Sequence, residues 1–305
     1  MAGSILLLAA ILWLVDDAGL DAWRIKTLAA QGRGPAAVSV ERVSYQSEGQ
    51  DIAADLYMPE NPRGFAVFAH GNRPEGRSHA LARDIAAALG RHFVTLAFDF
   101  RGYGESGPLP PYRAGMTLDL TSDILEGAKY LADRFGVPQD QVMLIGHSFG
   151  SVSVLLAGRK SGARTVFALG PTEADTAFDR EDFAEGQARK LTQIGLEVPL
   201  AEIEALYAPL RAKSLLAECP PAGARRIFIW GENEIGAATF APYLEQFRAR
   251  CGDAAEVEII PWANHTYWAE WRSTWRYRAY ALAIADEEWV DALAGVIVSK
   301  VQVAR

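Results

Sequence analysis

Gly146-His147-Ser148-Phe149-Gly150 places a serine midway between two glycines, where an apolar strand expected over residues 141–145 gives way to a helix expected over 148–159. A serine on a tight strand-to-helix turn is held in strained backbone geometry, with its hydroxyl exposed above the sheet. The residues two before and two after must lack a Cβ so that the chain segments can approach. Gly146 and Gly150 meet that need, and small residues at Ser151, Ser153 and Ala157 let the helix pack close to the sheet. Such a serine does nucleophilic chemistry. A neutral hydroxyl is a poor nucleophile, so Ser148 requires a base to take its proton and a third group to orient and stabilise that base.

His265 is the candidate base. It follows the last apolar strand, beyond the carboxyl edge of the sheet, where ligands gather in open α/β sheets. Of the other histidines, His147 lies within the turn, His70 ends its own strand, and His79 starts a helix. His92 precedes a strand at the opposite edge, where a solvated or capping role is expected. Glu234 is the candidate acid, because Gly231-Glu232-Asn233-Glu234 follows the strand expected over 226–230. Glu232 and Asp175 stay open as alternatives, the latter because it follows the earlier strand at 165–169. The Phe149 amide, at the start of a helix, faces a developing oxyanion with the helix dipole behind it. The loop His70-Gly71-Asn72 supplies the second donor, the Asn72 amide.

These groups lie far apart in sequence and need a scaffold that gathers strand ends. From about residue 38 onward, short runs rich in Val, Ile and Phe alternate with stretches of helical period. That pattern predicts an α/β protein with a mostly parallel central sheet and helices on both faces. Residues 38–45 and 51–58 read as an antiparallel edge hairpin around a polar turn. Buried strands are expected at 64–69, 93–98, 141–145, 165–169, 226–230 and 257–260, and helices at 79–89, 117–135, 148–159, 240–250 and 280–300. Between residues 170 and 224 no strand is expected, only helical stretches such as 180–191 and 201–213. A helical cap insertion at about 171–224 is therefore predicted.

On these residues the chain resembles the α/β-hydrolase superfamily over about residues 38–300. The segments that carry the resemblance are His70-Gly71-Asn72, the loop Asp99-Phe100-Arg101-Gly102-Tyr103-Gly104-Glu105-Ser106, the turn Gly146 to Gly150, Gly231 to Glu234, and Asn264-His265. Their chain order is that of the family: nucleophile, acid, histidine. Asp55-Leu56-Tyr57-Met58-Pro59 ahead of the His-Gly strand further resembles the dienelactone-hydrolase-like and serine-aminopeptidase-like branches.

The resemblance implies the α/β-hydrolase fold and a serine hydrolase that cleaves carboxylic esters of small or medium size through an acyl-enzyme. Ser148 would be the nucleophile, His265 the base and Glu234 the acid, with Phe149 and Asn72 forming the oxyanion hole. The alternatives are a peptidase or amidase with the same triad and, from another class, a non-catalytic binding protein on the same fold. Two departures stand out: Glu234 where the family usually has Asp, and Ser148 where the dienelactone branch commonly has Cys. A serine at this position also argues against dehalogenase and epoxide-hydrolase chemistry. The 99–106 loop reads as scaffold, with Arg101 tied to local carboxylates or carbonyls. This chemistry requires no cofactor or metal.

Half of the 305 residues are hydrophobic and 22% are charged, enough to bury a large core. A net charge of -8 argues against nucleic-acid binding, and a small-molecule ester is the expected partner. Two Cys and five His argue against a disulfide-dense scaffold or a structural zinc site. The segment 1–37 opens with an apolar run at residues 5–15, too short to cross a hydrocarbon core of about 30 Å. The run has the length of a signal-peptide core but no preceding Lys or Arg and no A-x-A site. Export or membrane association and a cytosolic location stay equally open. The alternative is a helix lying on the protein body or a membrane, with Leu8, Leu12, Val15, Leu20 and Trp23 as its apolar side, making residues 5–23 a peripheral membrane contact.

Cys219 and Cys251 each precede one of the last two strands, which in this fold are neighbours. The pair is read either as a disulfide, favouring export, or as two buried thiols. Trp262, Tyr267, Trp268, Trp271, Trp275 and Tyr277 either frame an acyl pocket together with residues 170–224 or pack in the core. Arg272, Arg276 and Arg278 form either a solvated face or a receiver for a substrate carboxylate or anionic lipid.

Overall fold

Short runs such as FAVFA, VTLAF and TVFAL are apolar at nearly every position, so they must be covered on both faces. The computed structural model, which describes residues 17–34, 37–172, 183–267 and 287–301, shows how. The described strands are β1 (Val38–Ser47), β2 (Gln50–Pro59), β3 (Phe65–Ala69), β4 (Val94–Phe98), β5 (Met143–His147), β6 (Thr165–Leu169), β7 (Arg225–Gly231) and β8 (Ala255–Ile260). They form one sheet in the order β1-β2-β4-β3-β5-β6-β7-β8. β1 and β2 are antiparallel, β2 runs antiparallel to β4, and every pairing from β4 to β8 is parallel.

The hairpin closes with Ser47 opposite Gln50, leaving Glu48-Gly49 as a two-residue loop with both φ angles positive. Two positive φ angles give a turn whose twist agrees with that of the strands it joins.

On one face lie α3 (Thr121–Phe135), α4 (Phe149–Ser161) and α8 (Ile235–Cys251), with the short helices that precede β7. On the other lie α1 (Asp17–Gly32), α2 (Ala80–Gly90) and α9 (Glu287–Lys300). Each face has its own apolar core.

Several elements depart from the sequence expectation. β5 runs on to His147 because Gly146 and His147 still pair with Ala168 and Leu169. α8 starts at Ile235 rather than at 240. The helix expected over 201–213 is broken into α6 (Ile203–Leu206) and α7 (Ala212–Leu215), joined by a 3-10 turn at Ala208–Leu210. Pro209 lies in that turn, and its missing N–H and ring clash prevent one continuous helix. α5 (Phe183–Gln193) precedes them, and no strand lies among the described residues between β6 and β7.

α1 packs on α9 through Ala22, Ile25 and Ala29, while Leu20 and Trp23 are 51% and 68% exposed. The side of α1 that meets the body is thus opposite to the Leu20–Trp23 side read from the sequence. Leu8, Leu12 and Val15 lie outside the described residues. No helix among the described residues is long and apolar enough to cross a membrane. His92, expected to be solvated or capping, is buried and caps α1, donating its Nε2–H to the Gly32 carbonyl at 2.8 Å.

Cys219 and Cys251 are joined in a disulfide, with their Cα atoms 5.4 Å apart. The bridge ties the approach to β7 to the end of α8 and closes a loop of sequence separation 32. Chain entropy then assigns the bridge about 3–4 kcal/mol of stability. Urea unfolding of a Cys219→Ala/Cys251→Ala variant should show a loss of that size relative to the oxidised protein.

Candidate active site

Ser148 follows the last residue of β5 and precedes α4, with φ 54 and ψ -115. A positive φ is a strained state for a residue with a Cβ, and it persists only where surrounding packing over-determines it. Here the packing is explicit. A Cβ on Gly146 would sit 2.2 Å from the Gly150 carbonyl oxygen, and one on Gly150 would sit 2.1 Å from that of Ala69. The two glycines let β3, β5 and α4 converge, and the turn is pinned as Ser148 N–H donates to Leu169 O at 2.8 Å.

The loop after β8 carries His265 back to this point. Ser148 Oγ–H donates to His265 Nε2 at 2.9 Å, and His265 Nδ1–H donates to Glu234 Oε1. The second Glu234 oxygen accepts the Gly231 N–H at 2.7 Å, so both of its oxygens are committed. The imidazole side chain is 42% exposed and open to a reactant, whereas that of Glu234 is 2% exposed. With Nδ1 protonated toward the carboxylate, the Nε2 lone pair faces the serine hydroxyl, the tautomer a general base needs.

Glu232, the rival acid, points elsewhere. Its carboxylate accepts the Trp262 N–H at 2.9 Å, and Asn233 Nδ2 donates to the Trp262 carbonyl at 3.0 Å. Those bonds bind the loop after β7 to the loop after β8. Asp175, the third candidate, lies outside the described residues.

His147, to which the sequence assigned no role, donates its Nε2–H to the main-chain carbonyl of His265 at 2.9 Å. Its ring centroid lies 5.0 Å from that of His265. Burial, and then the neighbouring His265, push its pKa down to about 3, so it stays neutral and adds no second charge beside the His265 ring. His70 is likewise buried. Its Nδ1–H donates to the Gly71 carbonyl at 2.7 Å and its Nε2 accepts the Phe100 N–H at 3.1 Å, holding the β3 loop. Burial lowers its pKa to about 4.

Both rings protonate more readily in the unfolded chain, where the ordinary value is near 6.5. Their contribution to stability is therefore complete above that pH and is lost as pH falls from 6.5 toward 4 for His70 and toward 3 for His147. Each ring adds a slope of up to about 1.4 kcal/mol per pH unit. Urea midpoints at pH 7, 5.5 and 4.5 should fall accordingly.

Asn72 and Phe149 line a cavity with Ser148. Phe149 is the first residue of α4, so its N–H has no carbonyl partner within the helix. The Asn72 side chain is held by a buried polar network. Tyr103 O–H donates to Asn72 Oδ1 at 2.8 Å, Asn72 Nδ2 donates to Gln187 Oε1 at 3.3 Å, and Tyr207 O–H donates to the same oxygen at 3.1 Å. Gln187 lies on α5, so the helical segment after β6 is bonded directly to the loop that carries Asn72. Tyr103 lies in the 99–106 loop read as scaffold, and Gln187 and Tyr207 are marked by no motif; only their contacts reveal them.

Two chambers meet at Ser148. One, of about 200 Å³, is walled by apolar and aromatic side chains of Phe149, Val152, Phe183, Tyr207 and Leu210. The other, of about 290 Å³, contains His265, His147, Thr266, Arg73 and Lys190. Asn72, Ser148 and Lys190 line both. Trp262 and Tyr267 are buried in the core beneath the second sheet face rather than set in a chamber wall. Trp268, Trp271, Trp275, Tyr277, Arg272, Arg276 and Arg278 lie outside the described residues. Arg101 is buried and paired with Asp123 and Glu48, away from both chambers. Among the described residues no group of three or more His, Cys, Asp or Glu could hold a metal ion.

Comparison with known proteins agrees with this architecture. The chain is 31% identical over 102 residues to "Proline iminopeptidase PfmaB" of Pestalotiopsis fici, a match covering 33% of each chain. This relative and two further curated ones are covered over only 33% to 42% of their own length. Among solved structures, the esterase Pf2001 of Pyrococcus furiosus superposes with TM-score 0.55 at 17% identity, covering 73% of this chain and 83% of that one. The alpha/beta hydrolase GrgF from Penicillium sp. sh18 superposes with TM-score 0.54 at 15% identity, covering 74% and 91%. At such identities these two likenesses concern the fold. A model of the alpha/beta hydrolase family matches residues 66–300, most of the chain, and the protein belongs to that family.

Proposed function

We propose that this protein is a serine hydrolase that cleaves carboxylic esters of small or medium size by a two-step acyl-enzyme mechanism. The observation that carries this reading is the run of contacts from Glu234 through His265 to the Ser148 hydroxyl. Ser148 Oγ attacks the ester carbonyl carbon while His265 Nε2 takes its proton, and Glu234 stabilises the imidazolium. The carbonyl oxygen becomes an oxyanion held by the Phe149 and Asn72 amides. Collapse breaks the ester C–O bond, and His265 returns the proton to the departing alcohol oxygen. Water, deprotonated by His265, then attacks the acyl carbon; the bond to Ser148 Oγ breaks, His265 returns the proton to that oxygen, and the acid is released.

The 200 Å³ chamber beside the Phe149 amide takes the acyl group, its apolar walls and volume favouring short or medium chains. The helical segment after β6 serves as a cap over it, bonded through Gln187 to the oxyanion loop. The test is labelling by a fluorophosphonate probe. Mass spectrometry should place the adduct on Ser148, with turnover of 4-nitrophenyl butanoate lost in step with labelling. An unlabelled Ser148 would return the chain to a binding role.

The Pestalotiopsis relative, named a proline iminopeptidase, supports a second reading, a peptidase or amidase with the same groups. Measuring kcat/KM on an ester and an amide that share the acyl group and differ only in a matched leaving group, 4-nitrophenol against 4-nitroaniline, separates the two.

A further inference from the structure

The 290 Å³ chamber is lined by two cationic side chains that are exposed to solvent, Arg73 on the loop after β3 and Lys190 on α5. Neither side chain has a hydrogen bond or ion pair among the described residues. Most other cations near the sheet have carboxylate partners: Arg77 has Asp99 and Glu105, Arg101 has Asp123, and Arg91 has Asp291. Desolvation, and then the adjacent Arg73 charge, lower the Lys190 pKa. Two like charges with no counter-ion among the described residues, set in one cavity wall, make an anion-receiving surface. The protein as a whole carries a net charge of -8, so attraction for an anion here is local.

The position of this surface relative to the reacting groups decides which end of a substrate it meets. His265 must hand its proton to the leaving oxygen, so the alcohol part leaves on the side of the imidazole. His265, Thr266 and Arg73 line this chamber and not the apolar one, and Lys190 stands at the border of the two. We infer that the substrate is an ester whose alcohol moiety carries a carboxylate or similar anionic group, received by Arg73 and Lys190 while the acyl chain fills the apolar chamber. This inference rests on the hydrolase reading and names the class of its leaving group.

The test compares 3-carboxyphenyl butanoate with 3-carbamoylphenyl butanoate, which differ in charge and little in shape, with 4-nitrophenyl butanoate as a reference. At low ionic strength the wild type should favour the carboxylate by about tenfold in kcat/KM, and 0.5 M salt should erode that preference. In Arg73→Gln/Lys190→Gln the ratio of the two rates should collapse toward one. In Lys129→Gln, which changes the charge of a distant helix, it should persist. A wild-type ratio at or below one, or a ratio unaltered in the double variant, overturns the assignment. Absence of turnover on all three esters instead overturns the hydrolase reading beneath it. A ratio that collapses while the fluorophosphonate probe still labels Ser148 of the double variant excludes misfolding as the cause.

Discussion

Ser148→Ala should lower kcat for 4-nitrophenyl butanoate by about 10^4- to 10^6-fold, with KM little changed and the fold intact by circular dichroism. The expectation is this large because the substitution removes the atom that forms the covalent intermediate. The residual rate would come from the oxyanion donors and from binding alone. The folded state should not suffer. Ser148 Oγ spends its proton on His265 Nε2, while the strained turn is held by main-chain bonds and by the approach of Gly146 and Gly150. Loss of the strained Cβ substituent is not at issue, since alanine keeps it. A variant that retains more than a few per cent of wild-type turnover would remove Ser148 from the mechanism.

Glu234→Gln should lower kcat by about 10^3- to 10^4-fold, and the geometry supplies a specific reason. One Glu234 oxygen accepts the Gly231 N–H, so a glutamine must keep its oxygen there. Its NH2 group is then turned toward His265 Nδ1, where the carboxylate oxygen stood. That donor demands a lone pair on Nδ1 and moves the ring proton to Nε2, facing Ser148 with a hydrogen instead of a base. A wrong tautomer of this kind is worth about 10^4-fold in a serine protease. Glu232→Gln should change kcat less than about threefold, because an amide oxygen can still accept the Trp262 N–H. If Glu232→Gln proved the more damaging, the acid would have to be reassigned. A direct Nδ1–H proton resonance, present in the wild type and absent in Glu234→Gln, is an independent readout.

Much of this site is legible in local sequence. The turn around Ser148 is encoded by glycines at fixed offsets and by the apolar run before it. His265 and Glu234 are marked by their positions just past strand ends, because in a parallel sheet every such end opens onto the same rim. Strands buried on both faces announce themselves as unbroken apolar runs, which is why β3, β4 and β6 fall where periodicity places them. Local pattern is weaker where a single residue overrides it, as Pro209 does in splitting the expected helix into α6 and α7. It is weakest for α1, whose exposed Leu20 and Trp23 are more apolar than the Ala22 and Ala29 that pack on α9. The two helices approach closely at Gly32 and Gly295, so small residues flank Ile25 in that seam in place of an unbroken apolar stripe.

Alone, the amino-acid order determined the reagents of this protein, a serine on a strained turn with a histidine and carboxylates at strand ends, and the layered α/β frame that carries them. Only the tertiary structure decided which carboxylate meets the imidazole, that His147 and the Asn72–Gln187–Tyr207 network brace the loops, and that Arg73 and Lys190 share a chamber with His265. The physical reason is range. Strained turns and apolar periodicity are set by neighbours a few residues apart, whereas hydrogen-bond partnership and shared cavities depend on ångström-scale distances between loops more than a hundred residues apart in some cases, which no local pattern records.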